Sequence, residues 1–279
     1  MTFEDFAKAH GLIVSHLVPG KWMAVPTEDH PRKRNGRYKL MGSVGWVQNW
    51  ATMTRPEMWR SDDTKASTVD WKRELMVADQ QRAESARKAA QKAGWIMHQT
   101  ELDTHPYLAR KGFPDEQGNV WVKDDQKLLV VPMRRKGSLV GCQLIDEEGK
   151  KKFLSGQQTK GASFVLDAKG IPFFCEGYAT ALSIRAAMKA MKVRYTIHVC
   201  FSAGNIKDVA GIVPGGVVIA DRDLNGVGER SAKETGKPYW VSDAVGEDFN
   251  DFYLRVGLFH ASSVLKKFLY SDARSQVVA

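Results

Sequence analysis

Between residues 171 and 251 the chain alternates short apolar runs with helix-length stretches, and few folds satisfy that alternation. The runs are IPFFC at Ile171–Cys175, TIHVCF at 196–201 and VVIA at Val217–Ala220. Each is too short for a helix and reads as a buried strand. Behind the first, Ala179, Leu182, Ile184, Ala187 and Met188 fall on roughly one helical face. Strands alternating with helices predict an α/β fold whose parallel sheet is covered on both faces. Ligands of such sheets gather at the carboxyl ends of the strands. Glu176 directly follows the first run, and Asp221 and Asp223 follow the third.

Acids collected at one sheet edge need a counter-charge. Two carboxylates about 4 Å apart repel by roughly 4 kcal/mol at an effective dielectric near 20. Either one holds a proton or a divalent cation neutralises them. An oxygen-only donor set suits Mg²⁺ or Mn²⁺ rather than zinc. Asp221 and Asp223 are two residues apart, so in an extended segment both side chains point the same way. GEDFND adds Asp248 and Asp251. Such equipment fits phosphoryl or nucleotidyl transfer. Taken singly, each piece also has a plainer reading: a solvated strand end, a glutamate at a helix N-terminus, a capped turn.

The formal charge of +9 points to an anionic partner, nucleic acid before membrane. No run approaches the roughly 18 apolar residues of a membrane span, so no membrane partner is expected. The opening MTFEDFAKAH does not read as a signal peptide. Cys142, Cys175 and Cys200 form no CxxC pair and lie in apolar runs, as free thiols of a reducing, cytoplasmic compartment do. No phosphate-binding GxxxxGK[ST] loop occurs.

Residues 1–62 form a small β-rich, aromatic and basic region. Phe3, Phe6, Ala7 and His10 predict a short helix ended by Gly11. KWMAVP, GRYKLMG and VGWVQNW predict three strands joined by the basic turn HPRKRNG. Arg32, Lys33, Arg34, Arg37 and Trp46 are candidate DNA contacts there, because aromatics beside cations stack bases and track phosphates. The plainer alternative is an aromatic core with a solvated basic turn. No zinc is expected: no cysteine precedes Cys142, and His10, His16 and His30 lack ligand spacing.

Residues 63–94 hold a long helix over 66–93, capped by Ser67 or Thr68 and stopped by Gly94, whose thin apolar stripe suits a linker. Residues 95–168 open with a helix. NVWVK, KLLVVPMR, SLVGCQLID, KKFLSG and ASFVL then predict an antiparallel meander. Residues 249–270 predict a packing helix, and the last nine residues a frayed end.

FCEGYATALS, VVIADRDLNG and GEDFND, in that order, resemble the Toprim module of DnaG-type primases, topoisomerases and some nucleases. Phage and plasmid primases are the most similar group. The resemblance implies a Toprim-type parallel sheet flanked by helices over 169–279, with a C-terminal helix. A mixed α+β basic subdomain over 95–168 would precede it, with 1–62 standing as a zinc-free counterpart of the usual zinc ribbon. It implies Glu176, Asp221 and Asp223 as catalytic, and these with Asp248 as holding Mg²⁺ or Mn²⁺; Asp251, one residue beyond the family's spacing, is added as a metal candidate from GEDFND itself. YLARKG, KKFLSG and TKGA extend the likeness and imply nucleotide or template contacts by Arg110, Lys111, Lys152, Ser155 and Lys160. Two positions depart from the pattern: Thr180 and Asn250 stand where the family carries acids.

The function implied is a DNA-directed RNA primase, joining ribonucleoside triphosphates on a single-stranded DNA template, with a separate replicative helicase as a further partner. The alternatives are a Toprim-type nuclease using the same acids, and a non-catalytic single-strand-binding accessory protein.

Overall fold

The computed structural model of the chain describes residues 1–53, 55–61 and 68–270, and for 68–75 the backbone alone. Among these residues the protein is a mixed α/β molecule with seven helices and three sheets. The expectation of a frayed end after residue 270 lies outside the described residues. No helix among them is long and apolar enough to cross a membrane. The chain divides into two compact units, Met1–Glu84 and Ser85–Ala279.

In the first unit, α1 (Phe3–Ala9) begins at a capping box. The Asp5 amide donates to the Thr2 hydroxyl at 3.1 Å, and the Thr2 amide donates back to the Asp5 carboxylate at 3.3 Å. Four strands follow, β1 (Met23–Val25), β2 (Gly36–Met41), β3 (Val44–Asn49) and β4 (Glu57–Arg60), paired antiparallel in chain order. The sequence predicts only three; β4 is a charged edge strand just after Pro56, whose composition hides it. Period-two alternation sends Tyr38 and Val47 to one face, where Phe3, Ala7 and Leu12 complete the core. Gly45 is obligatory, since a Cβ there would lie 2.2 Å from the Phe3 ring.

α2 (Thr68–His98) runs straight through Gly94, the expected stop. A glycine inside a helix costs about 1 kcal/mol. Burial of Ala89, Ala93 and Ile96 against Trp121, Val130 and Cys142 of the following sheet outweighs it.

That sheet is an antiparallel meander of β5 (Glu101–Thr104), β6 (Gln117–Lys123), β7 (Gln126–Arg135), β8 (Ser138–Ile145) and β9 (Lys151–Phe153), with α3 (Pro106–Arg110) after β5. It is buried on both faces. Val130 and Cys142 face α2, while Leu129, Val131, Met133 and Ile145 join the largest core of the molecule.

The third sheet has the order β10-β12-β11-β13-β14. β11 (Ile171–Cys175), β12 (Tyr195–Val199), β13 (Val217–Ala220) and β14 (Tyr239–Val241) are mutually parallel. β10 (Phe164–Asp167) is antiparallel to β12. β10 corrects the sequence reading, which puts ASFVL in the meander; an apolar pattern says that a strand exists, not which neighbour it takes. α4 (Tyr178–Ala190) and α7 (Phe249–Tyr270) cover one face through Phe173, Leu182, Ile197, Ile219 and Phe249. α5 (Ala203–Ala210) and α6 (Val227–Lys233) cover the other through Phe174, Ile206, Val218 and Ala232. α7 is not one continuous helix, because Gly257 breaks it with φ 79° and ψ 165°. The core does not pause at residue 168: Leu129 and Met133 of the meander share it with Phe173 and Leu182.

Candidate active site at the carboxyl ends of the parallel strands

Parallel pairing brings the ends of β11 and β13 to one edge. Phe174 is level with Val218, so by the same register Glu176 is level with Ala220, one residue short of Asp221. Two bonds beyond β12 hold the Glu176 segment: Cys200 N–H donates to Cys175 O at 2.8 Å and Phe201 N–H to Glu176 O at 2.9 Å. Asp223 lies in the loop after β13, where its Oδ2 accepts from the Gly228 amide at 2.9 Å. That approach needs glycine, because a Cβ on Gly228 would lie 2.4 Å from the Asp221 carbonyl oxygen.

Asp248 and Asp251 enter from the start of α7. The Asp248 carboxylate accepts from the Asp251 amide at 2.8 Å, which caps the helix, and Asp251 pairs with Lys111 Nζ at 3.2 Å. Asn250 does a different job. It is fully buried, and its amide donates to Lys111 O and to Ser183 Oγ, both at 2.9 Å, tying α7 to α4 and to the end of α3. Thr180 is buried in α4 and lines the adjoining cleft.

The acids share one field. Burial, then the charges of Glu176, Asp248 and Asp223, push Asp221 up to about 8, with Lys151 pulling the other way. Burial and the Asp223 charge push Glu176 up to about 7, against the Ala203 N–H and Lys151. Burial also raises the thiols of Cys175 and Cys200 behind them. Glu176 Oε1 and Asp221 Oδ1 are buried without any hydrogen-bond partner. Orphaned carboxylate oxygens of this kind cost stability unless something cationic meets them. Their hard oxygen chemistry fits Mg²⁺ or Mn²⁺. Among the described residues, no three His, Cys, Asp or Glu side chains already stand close enough to grip one ion together.

A cleft of about 500 Å³ adjoins the acids, lined by Tyr107, Arg110, Lys111, Lys151, Thr180, Asp248 and Asp251 among others. The Arg110 guanidinium donates to the Glu147 carbonyl. Lys151 is the cation that sequence reasoning missed. In β9, Lys151 pairs with Ile145 and Lys152 with Leu144. Ile145 belongs to the core that reaches the parallel sheet, and Leu144 packs toward α2. Lys152 therefore lines a separate cavity of about 200 Å³ with Lys92, Lys123 and Lys150, away from the acids. Lys160 is 81% exposed and pairs with Asp208 at 3.4 Å. Ser155 is exposed. The polar stretch between them is structural: Gln157 Oε1 accepts from the Cys142 and Leu154 amides at 3.1 and 3.3 Å.

In the first unit, Arg32, Lys33 and Arg34 are exposed in the loop between β1 and β2, Arg37 lies on β2, and Trp46 on β3. No protein-family model matches the chain.

Proposed function

We propose that the protein is a DNA primase of the Toprim type, which joins ribonucleoside triphosphates on single-stranded DNA at the Glu176–Asp221 edge. The observation that carries this reading is the pair of buried, unpartnered carboxylate oxygens at the ends of two parallel strands, beside a cleft edged with cations. The resemblance of FCEGYATALS, VVIADRDLNG and GEDFND to Toprim sequences supports the same reaction class.

Glu176, Asp221 and Asp223 would hold Mg²⁺ or Mn²⁺, with Asp248 nearest to a second site. The cation supplies charge neutralisation for the phosphates and lowers the barrier to in-line displacement. In that displacement a primer 3′-hydroxyl attacks the α-phosphorus of the incoming nucleotide, its proton passes to a base, and pyrophosphate leaves. As an outer rather than a direct ligand of the metal, Glu176 would remain free to take that proton. Lys151, Arg110 and Lys111 line the cleft in which a triphosphate would be oriented. Lys151 acts as a point charge and Arg110 as a fork of donors.

Incubation of the chain with single-stranded DNA, labelled ribonucleotides and Mg²⁺ tests this directly. Labelled oligomers are expected, and Asp221→Ala should abolish them while single-strand binding persists. Shortened DNA without oligomers would make the protein a nuclease instead. A non-catalytic strand-binding protein is the second reading, favoured by the structural use of Asn250 where the resemblance has an acid. It predicts no Mg²⁺ or Mn²⁺ affinity above that of Asp221→Ala.

A further inference from the structure

The four-stranded sheet of the first unit has one face that its core does not use. Tyr38, Val47, Met23, Val25 and Trp59 point inward. The opposite parity presents Arg37 and Lys39 on β2, Trp46 and Gln48 on β3, and Met58 and Arg60 on β4. Three cations occupy this face and no carboxylate shares its parity.

Arg37 is held at its centre. Its Nε and Nη2 both donate to Gln48 Oε1, at 3.0 and 2.8 Å, and the Gln48 amide is anchored on Met53 O. The guanidinium carbon lies 4.5 Å from the Trp22 ring centroid and 5.6 Å from that of Trp50. Both indoles are open to solvent, at 40% and 49% exposure. Across the ladder Lys39 sits opposite Trp46. Among the described residues Arg37 has no acidic partner. A guanidinium tied along one edge and flanked by two exposed indoles is a stiff cationic platform, with N–H groups left to meet a phosphate.

We propose that this face, centred on Trp22, Arg37 and Trp50, is a base-stacking site for single-stranded DNA. Flat exposed indoles give sequence-tolerant stacking, and Arg37, Lys39 and Arg60 supply the backbone charge that single-strand binding uses. A folded acidic protein would meet the same charge, but gains nothing from two exposed rings beside a fixed cation. The choice of DNA over RNA rests on the template reading above; the stacking site does not, and uses no residue of the acidic edge.

The test measures oligo(dT) binding by the full chain in EDTA, through quenching of tryptophan fluorescence and anisotropy of a labelled strand. Quenching is expected, and Trp22→Ala and Trp50→Ala should each weaken binding about tenfold. Lys39→Gln should lower the salt slope by about one ion. Asp221→Ala should change none of these, so failure of the metal site would leave this result standing. Thermal unfolding identical to the parent keeps the tryptophan variants interpretable; if one unfolds, its Phe substitution should restore both fold and binding. Binding unchanged in both Ala variants, or equal displacement of the strand by polyglutamate, overturns the site. Tighter binding of oligo(U) than oligo(dT) overturns the assignment to DNA.

Discussion

The first-unit sheet and the parallel sheet use their surfaces in opposite ways. The antiparallel sheet packs one face into an apolar core and carries polar and aromatic side chains, mostly half-buried, on the other, so its chemistry lies on a face and follows a period of two. The parallel sheet is covered on both faces by helices, and its acidic side chains stand where its strands end. A side chain on an open face costs the fold little. A carboxylate at a covered edge is desolvated and crowded by its neighbours, which is why Asp221 and Glu176 are pushed upward. The meander between them in sequence is antiparallel yet buried on both sides over its central strands, and it offers chemistry only at its edge strand β9, through Lys151.

If strand-end polar groups are the costly ones, substitutions there should dominate stability. Asn250→Asp, which restores the acid that the resemblance expects, should be the most damaging. It exchanges a buried donor for a charge facing Lys111 O and Ser183 Oγ, for a loss of about 3 kcal/mol. Chemical denaturation checks this. A stable, active Asn250→Asp protein would break the contrast.

Gly228→Val should follow, with a loss of about 1–3 kcal/mol from overpacking against the Asp221 carbonyl. Because the clash falls on the loop carrying Asp223, nucleotide incorporation should fall further than the melting temperature implies. On the open face, Lys39→Gln should move stability by no more than about 0.5 kcal/mol.

Metal-free protein should lose stability as pH rises from about 5 to 8. Asp221 and Glu176 are raised above ordinary values of 3.8 and 4.5, so through that window the folded state keeps protons that the unfolded chain has released. Stability is therefore present at low pH and is lost as pH climbs through the folded values. Depressed carboxylates such as Asp167, held by the Thr196 hydroxyl, act in the opposite sense, at lower pH. Saturating Mg²⁺ should flatten the slope between pH 5 and 8, and Asp221→Asn should flatten it without metal. A melting temperature that rises with pH across this window, with no change on adding Mg²⁺, would remove the desolvated acids from the argument.

The legibility of each region follows from the same contrast. The strand-end acids were readable because an apolar run announces a buried strand and the residue after it must lie at an edge. The β10 pairing was not, since a four-residue strand carries no label for its partner. The continuation of α2 through Gly94 was hidden because its reason is tertiary, the burial of Ala93 and Ile96. The exposed indoles beside Arg37 were half legible: the sequence shows aromatics among cations, while the pairing of Arg37 with Gln48 needs the register of β2 on β3. Asn250 looked like a lost ligand and is a latch between helices.

The smallest effect separates two adjacent lysines. Nothing in KKF says which one faces the acids; only the pairing of β9 with β8 does, since a shift of one residue exchanges the faces. Lys151 lies near enough to lower both Asp221 and Glu176, and it lines the cleft. Lys151→Ala should raise the KM for ribonucleotides several-fold and lift the alkaline-shifted titration of the acids further. Lys152→Ala, on the α2 side, should leave both unchanged and alter stability by less than about 0.5 kcal/mol. Steady-state kinetics across pH with the two variants side by side decides the matter, and the reverse pattern would mean that β9 pairs in the other register, turning its charge away from the strand ends.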